Sequence, residues 1–182
     1  MGKGESKLQP KELADLANST NFTEKDIHEW YKGFMKDCPK GKMSKVQFIG
    51  MYQEFFPHGD ATRFAENIFR TFDENQDGRI DFREFITALS LTSQGTVDEK
   101  LGWAFNIYDL DGNGYISMSE MMKIIDAIYN TRPPKERLTS EDIRNRTKST
   151  FEKLDSNHDG RISRKEFISG AKSDSALVQI LN

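Results

Sequence analysis

The dodecapeptide DENQDGRIDFRE at residues 73–84 returns as DLDGNGYISMSE at 109–120 and as DSNHDGRISRKE at 155–166. Each copy opens with Asp, carries Asp or Asn at its third and fifth positions, turns at a sixth-position Gly, and closes on Glu. An Ile holds the eighth position in all three. Outward from these segments the apolar residues recur at intervals of three and four, the period of one helical face. Phe64, Ile68 and Phe72 lead into the first of them, and Phe82, Phe85, Ile86 and Leu89 lead out. Leu101, Ala104, Phe105 and Tyr108 precede the second, with Ile124, Ile125 and Ile128 after it. Phe151 and Leu154 precede the third. The unit is thus helix, acidic loop, helix, repeated.

A fainter copy lies upstream. Ile27, Trp30, Tyr31, Phe34 and Met35 share one helical face behind an N-cap residue at Thr23. Phe48, Tyr52, Phe55 and Phe56 continue the pattern on a following helix, which Pro57 terminates. The chain therefore reads as all-α: four helix–loop–helix units arranged as two pairs. Residues 1–22 form an N-terminal arm and first helix, and residues 23–89 the first pair. The polar stretch 90–96 is the joint, and residues 97–182 are the second pair with a C-terminal helix. The break at Thr131 to Lys135, containing Pro133 and Pro134, predicts a flexible surface loop between the third and fourth units.

The chemistry of the three acidic loops is that of a hard cation. Calcium takes about six to eight oxygens, and a 12-residue loop supplies them from positions 1, 3, 5, 7, 9 and 12. All three segments fit D-x-[DN]-x-[DN]-G-x5-E, the EF-hand pattern. The expected ligands in the second unit are Asp73, Asn75, Asp77, the Arg79 carbonyl, Asp81 through water, and Glu84. In the third they are Asp109, Asp111, Asn113, the Tyr115 carbonyl, Ser117 and Glu120. In the fourth they are Asp155, Asn157, Asp159, the Arg161 carbonyl, Ser163 and Glu166. Three calcium sites follow, with Mg2+ a candidate occupant in the calcium-free state. The first unit fails. With Met43 at position 8, Lys36, Cys38, Lys40 and Gln47 stand at positions 1, 3, 5 and 12, so two ammonium groups replace carboxylates and the closing anion is gone.

Composition excludes other classes. Acidic residues outnumber basic ones by 29 to 26, a net charge of −3, without the basic field of a nucleic-acid binder. Three bound divalent ions would turn that −3 into +3 and draw the loaded molecule to an anionic membrane surface. One cysteine, Cys38, permits neither an internal disulfide nor a Cys-rich zinc site. His28, His58 and His158 lack ligand spacing and read as surface residues. No nucleophile–base pairing or phosphate loop is present, and every clustered carboxylate is assigned to a metal, so the chain reads as a non-enzyme.

Several further stretches resemble the neuronal calcium sensor family, which includes recoverin, visinin-like, neurocalcin, hippocalcin and frequenin proteins. They are MGK at 1–3, EWYKGF at 29–34, KDCP at 36–39 in the ligand-poor first loop, FFPHGD at 55–60, WAF at 103–105 and GAKSD at 170–174. The stretch 131–147 and the end at Asn182 depart from the family's usual linker and C-terminal extension. The resemblance, with the M-G-x-x-x-[ST] signal at residues 1–6, implies myristoylation at Gly2. A single acyl chain binds marginally, and Lys3, Lys7 and Lys11 would add to it at an anionic surface. The resemblance further implies a target groove formed by Trp30, Phe34, Phe48, Met51, Tyr52, Phe55, Phe82, Phe85 and Leu89. Taken singly, each of these reads as core; as a set they exceed what one helix pair can bury. Met118, Met121 and Met122 read as filler, with Met118 the exposed exception. Leu177, Val178, Ile180 and Leu181 form an apolar tail suited to a lid.

The implied function is a calcium sensor, cytoplasmic and peripherally membrane-associated. Its partners would be membrane-associated proteins of the kinase, cyclase or channel class that present an amphipathic helix. The chain itself would be a monomer or weak dimer. The competing reading is a cytosolic calcium buffer with little opening.

Overall fold

The computed structural model describes residues 7–174. Gly2 and the apolar tail from Leu177 to Leu181 lie outside that range. The chain folds as α1 (Pro10–Ser19), α2 (Glu24–Asp37), β1 (Lys42–Ser44), α3 (Lys45–Glu54), α4 (Thr62–Phe72), β2 (Arg79–Asp81) and α5 (Phe82–Gln94). It continues as α6 (Val97–Tyr108), β3 (Tyr115–Ile116), α7 (Met118–Asn130), a 3-10 turn at Pro134–Glu136, α8 (Ser140–Leu154), β4 (Ile162–Ser163) and α9 (Arg164–Lys172). The four helix–loop–helix units follow the spacing of the repeat.

Short antiparallel ladders join the units two by two. β1 pairs with β2, setting Met43 opposite Ile80, and β3 pairs with β4, setting Ile116 opposite Ile162. These are the eighth-position residues of the four loops. Ile80, Ile116 and Ile162 are wholly buried and Met43 nearly so, which explains why that position stays apolar amid polar neighbours.

Local signals set the helix starts. Thr23, Ser44, Asp81, Thr96, Ser117, Thr139 and Ser163 each cap a helix, accepting from the backbone N–H three residues on. In each case the side chain of that third residue accepts from the cap's own N–H, a reciprocal capping box. α3 stops at Glu54, so Phe55 and Phe56 are not part of its helical face as the periodicity suggested. The residue before a proline is disfavoured in helical geometry, and Phe56 precedes Pro57. The Gln53 amide organises the turn that follows. It donates to the Phe56 and Gly59 carbonyls and accepts from the Ala61 N–H.

Of the 90–96 stretch read as a joint, residues up to Gln94 are helical, leaving Gly95 and Thr96 between α5 and α6. Ser90 is buried, and its hydroxyl accepts from the Asn21 N–H, tying the α1–α2 turn to α5. The two pairs pack on each other. The Asp60 N–H donates to the Asn130 carbonyl at 2.8 Å, and Arg63 meets Asp126 at 3.5 Å. The Arg70 guanidinium donates to the Asn106 and Ile107 carbonyls at the end of α6. Thr131 is buried here, so the segment expected as a surface loop begins inside the contact. One continuous core runs from Leu13 to Phe167. Among the described residues, no helix is long and apolar enough to cross a membrane.

Candidate metal centres

The three acidic loops share one hydrogen-bond scaffold built from their own amides. In the second unit Asp73 accepts from the N–H groups of Asp77 and Gly78, Asn75 from Asp77, and Asp77 from Arg79. The third unit repeats this: Asp109 accepts from Asn113 and Gly114, Asp111 from Asn113, and Asn113 from Tyr115. In the fourth, Asp155 accepts from Asp159 and Gly160, Asn157 from Asp159, and Asp159 from Arg161. The side chains at positions 1, 3 and 5 are thereby drawn inward. Gly78, Gly114 and Gly160 have φ of 78°, 87° and 81°, which L side chains avoid, so the sixth-position glycine is required by the turn.

The twelfth-position glutamate spans each loop. Glu84 accepts from the Asn75 N–H at 3.1 Å with one oxygen and from the Asp81 N–H at 3.0 Å with the other. Glu120 does the same between Leu110 and Asp111 on one side and Ser117 on the other. Glu166 bridges Asn157 and Ser163. This residue is at once the third-residue member of the capping box and the carboxylate that closes the loop. Asp81, Ser117 and Ser163, expected as ninth-position ligands, serve as the N-caps.

The donor set fits a hard divalent cation. Asp73, Glu84, Asp109, Glu120 and Asp155 are all buried, and among the described residues none of the five forms an ion pair. Buried carboxylates are normally paired or bound to metal. In the third loop, oxygens of Asp109, Asp111 and Glu120 lie within 4.8 Å of one another. Burial pushes Glu120 up, but donors from Ser117, Asp111 and Leu110 together outweigh it, and its carboxyl sits below the usual range. Glu166 is shifted the same way: burial raises it, and Ser163, Ser156 and Asn157 outweigh that. Both are held as anions.

The first loop keeps the frame and lacks the charge. Gly41 has a φ of 76°, and Ser44 and Gln47 form the same reciprocal cap, so the exiting helix starts as in the other units. Gln47 supplies the cap's acceptor without a carboxylate. The fourth position differs in the backbone as well. Gln76, Gly112 and His158 are left-handed there, with φ of 58°, 70° and 56°. Pro39 holds that place in the first loop, and its ring locks φ near −65°.

The nine residues read as a groove divide in this conformation. Phe34, Phe48 and Phe82 are core, 4%, 1% and 6% exposed. Met51, Tyr52, Phe85 and Leu89 are half-buried. Trp30 is 42% and Phe55 70% exposed. Trp30 stands edge-on to Phe85 and Tyr52 to Phe55. Burial pushes the Tyr52 phenol up to about 12. Met121 is wholly buried, while Met118 and Met122 are half-buried, so Met118 is less exposed than its position suggested. Cys38 is buried, and desolvation followed by the Asp37 charge raises its thiol pKa. His28, His58 and His158 are exposed.

Sequence reasoning missed the ladders and the double duty of the closing glutamate. The signals were present: an apolar eighth residue in every loop, and S/T/D-x-x-E/Q at positions 9 to 12.

Comparison with known proteins places these features. Residues 98–172 match the family model of an EF-hand domain pair, and residues 64–92 that of a single EF-hand domain. All three acidic loops fall inside those ranges. The chain is 48% identical over 186 aligned positions to Neuronal calcium sensor 1 of Lymnaea stagnalis, covering 100% of this chain and 96% of that protein. It is 38% identical to Visinin of Gallus gallus and 37% to Recoverin of Homo sapiens, again over 100% of this chain and 97% and 93% of theirs.

Proposed function

The chain belongs to the neuronal calcium sensor family of EF-hand proteins, and from that premise we propose that it senses calcium through its second, third and fourth loops and conveys the signal to membrane-associated targets. The observation that carries this reading is the thrice-repeated scaffold in which loop amides aim the side chains at positions 1, 3 and 5 inward and a buried or half-buried glutamate closes the ring. The ligands are those expected from the spacing: Asp73, Asn75, Asp77, Arg79, Asp81 and Glu84; Asp109, Asp111, Asn113, Tyr115, Ser117 and Glu120; Asp155, Asn157, Asp159, Arg161, Ser163 and Glu166. Bound there, calcium supplies a compact double positive charge that about six to eight oxygens satisfy together. Mg2+ is held in the same loops when calcium is absent.

Glu84, Glu120 and Glu166 are each the third residue of an exiting helix as well as a loop-closing anion. A change in how the carboxylate is held is therefore passed to α5, α7 or α9 at its first turn. That connection is what sensing requires, and exposed apolar surface is what sets a sensor apart from a buffer. Trp30 and Phe55, exposed beside Phe85 and Tyr52, supply apolar surface for the amphipathic helix of a kinase, cyclase or channel. Myristoyl-Gly2 with the neighbouring lysines holds the protein at the cytosolic face of an anionic membrane. The protein is not an enzyme.

Calorimetry of the full chain should count three calcium ions, with dissociation constants of about 10⁻⁷–10⁻⁵ M. Glu84→Gln, Glu120→Gln and Glu166→Gln should each remove one. Calcium-dependent retention on a hydrophobic matrix tests the sensing half of the proposal. A protein that binds three ions without being retained is a buffer.

A further inference from the structure

The first loop has no ligands of its own, yet one of its side chains reaches into its neighbour's. Lys42, at its seventh position, extends from β1 to place Nζ 2.6 Å from Oδ2 of Asp77, the fifth-position ligand of the second loop. The β1–β2 ladder fixes this approach, since Lys42 lies opposite Asp81, another carboxylate of the same loop. The other Asp77 oxygen accepts from the Arg79 N–H, so both oxygens are engaged.

The counterpart of Lys42 in the second pair is Tyr115, seventh in the third loop. It is neutral and lies under the Arg161 guanidinium at 4.0 Å; Arg161, from the fourth loop itself, meets that loop's fifth-position Asp159 at 3.4 Å, a longer contact than the 2.6 Å of Lys42 and made within one loop. Loop charge gives the contrast its meaning. At its ligand positions the second loop holds four carboxylates, Asp73, Asp77, Asp81 and Glu84; the third and fourth hold three each. On carboxylates alone the second loop would bind a divalent cation most tightly.

We propose that Lys42 is a built-in counter-cation that the ligand-less first loop lends to the second, lowering that loop's calcium affinity and so setting the order in which the sites fill. This rests on the second loop being a calcium site. An ammonium on Asp77 neutralises one ligand and repels an arriving double charge. Both side chains are partly exposed, Lys42 by 44% and Asp77 by 34%, so water and salt weaken the effect without abolishing it.

The test is calcium titration of the full chain followed by NMR. The amides of Gly78, Gly114 and Gly160 each donate to their own first-position Asp and so report the three loops separately. Lys42→Gln should tighten the second loop about three- to tenfold and leave the third and fourth within twofold. Lys42→Arg should stay near the parent. Lys45→Gln removes the same charge from the same unit, but Lys45 faces Glu66 at 3.9 Å, and it should move no site. The Lys42→Gln gain should shrink at high KCl. An unchanged second loop in Lys42→Gln, or an equal gain from Lys45→Gln, overturns the role of Lys42. A Gly78 signal that never responds to calcium, in parent and variant alike, overturns the underlying site instead.

Discussion

The fourth position of each ligand-bearing loop is left-handed, and the three residues there bear that geometry unequally. Gly112 adopts it freely, whereas Gln76 and His158 do so against the clash of Cβ with the backbone. His158→Gly should therefore favour the closed fourth loop by about 0.5–1 kcal/mol, relief of the clash being offset in part by glycine's larger unfolded entropy. Calorimetry would show tighter binding at the fourth loop and no change at the third; weaker binding would refute the strain argument. The loop scaffold that draws the proposed ligands together was legible in the sequence because a 12-residue loop has one spacing that converges oxygens. The left-handed fourth position was not legible, since neither Gln nor His announces it. Lys42 was silent as well, because its reach to Asp77 depends on a ladder between two units that are distant in sequence.

Most helices in this chain are started by reciprocal caps, and several of these depend on ionised carboxylates. Asp26 and Asp142 are lowered first by hydrogen bonds from the Thr23 and Thr139 hydroxyls, and Glu99 first by the Thr96 N–H. A carboxylate held below its ordinary value contributes stability above that value and loses it as pH falls through the lowered one. The ordinary values are 3.8 and 4.5, so the melting temperature of calcium-free protein should be level near neutrality and decline once pH drops below 4.5. Thr139→Ala should lower the neutral-pH melting temperature and flatten part of the decline; an unaltered profile would remove the cap from that account. The helices themselves were readable from apolar periodicity and from Thr23. Their ends were less so. α3 was overrun by two aromatics because Phe55 and Phe56 keep the spacing while Pro57 denies the geometry, and α5 was cut short because Ser90, Thr92 and Ser93 look like a linker. In the structure their hydroxyls are occupied. Ser90 accepts from Asn21, while Thr92 and Ser93 donate to carbonyls of the preceding turn.

The two halves of the molecule approach closely at Gly59, where an added Cβ would lie 1.9 Å from the Thr131 carbonyl oxygen. Gly59→Ala should cost about 1–3 kcal/mol, because backbone stands on both sides and no flexible side chain can yield. Thermal unfolding checks this, and a melting temperature equal to the parent's would mean that the halves separate readily there. Pairing of the units was foreseeable from their even number; the packing of one pair on the other was not, because much of it runs through main-chain atoms of Gly59, Asp60, Asn130 and Thr131 and through Arg70 donating to main-chain carbonyls, which leave no side-chain pattern. The first loop adds a historical consequence. Carboxylates could be restored to positions 36, 38, 40 and 47 one codon at a time, but each would arrive in a ring that Pro39 keeps from closing. The proline thus acts as a ratchet: silence in that loop is easily inherited, and speech can return only after the backbone has first been set free.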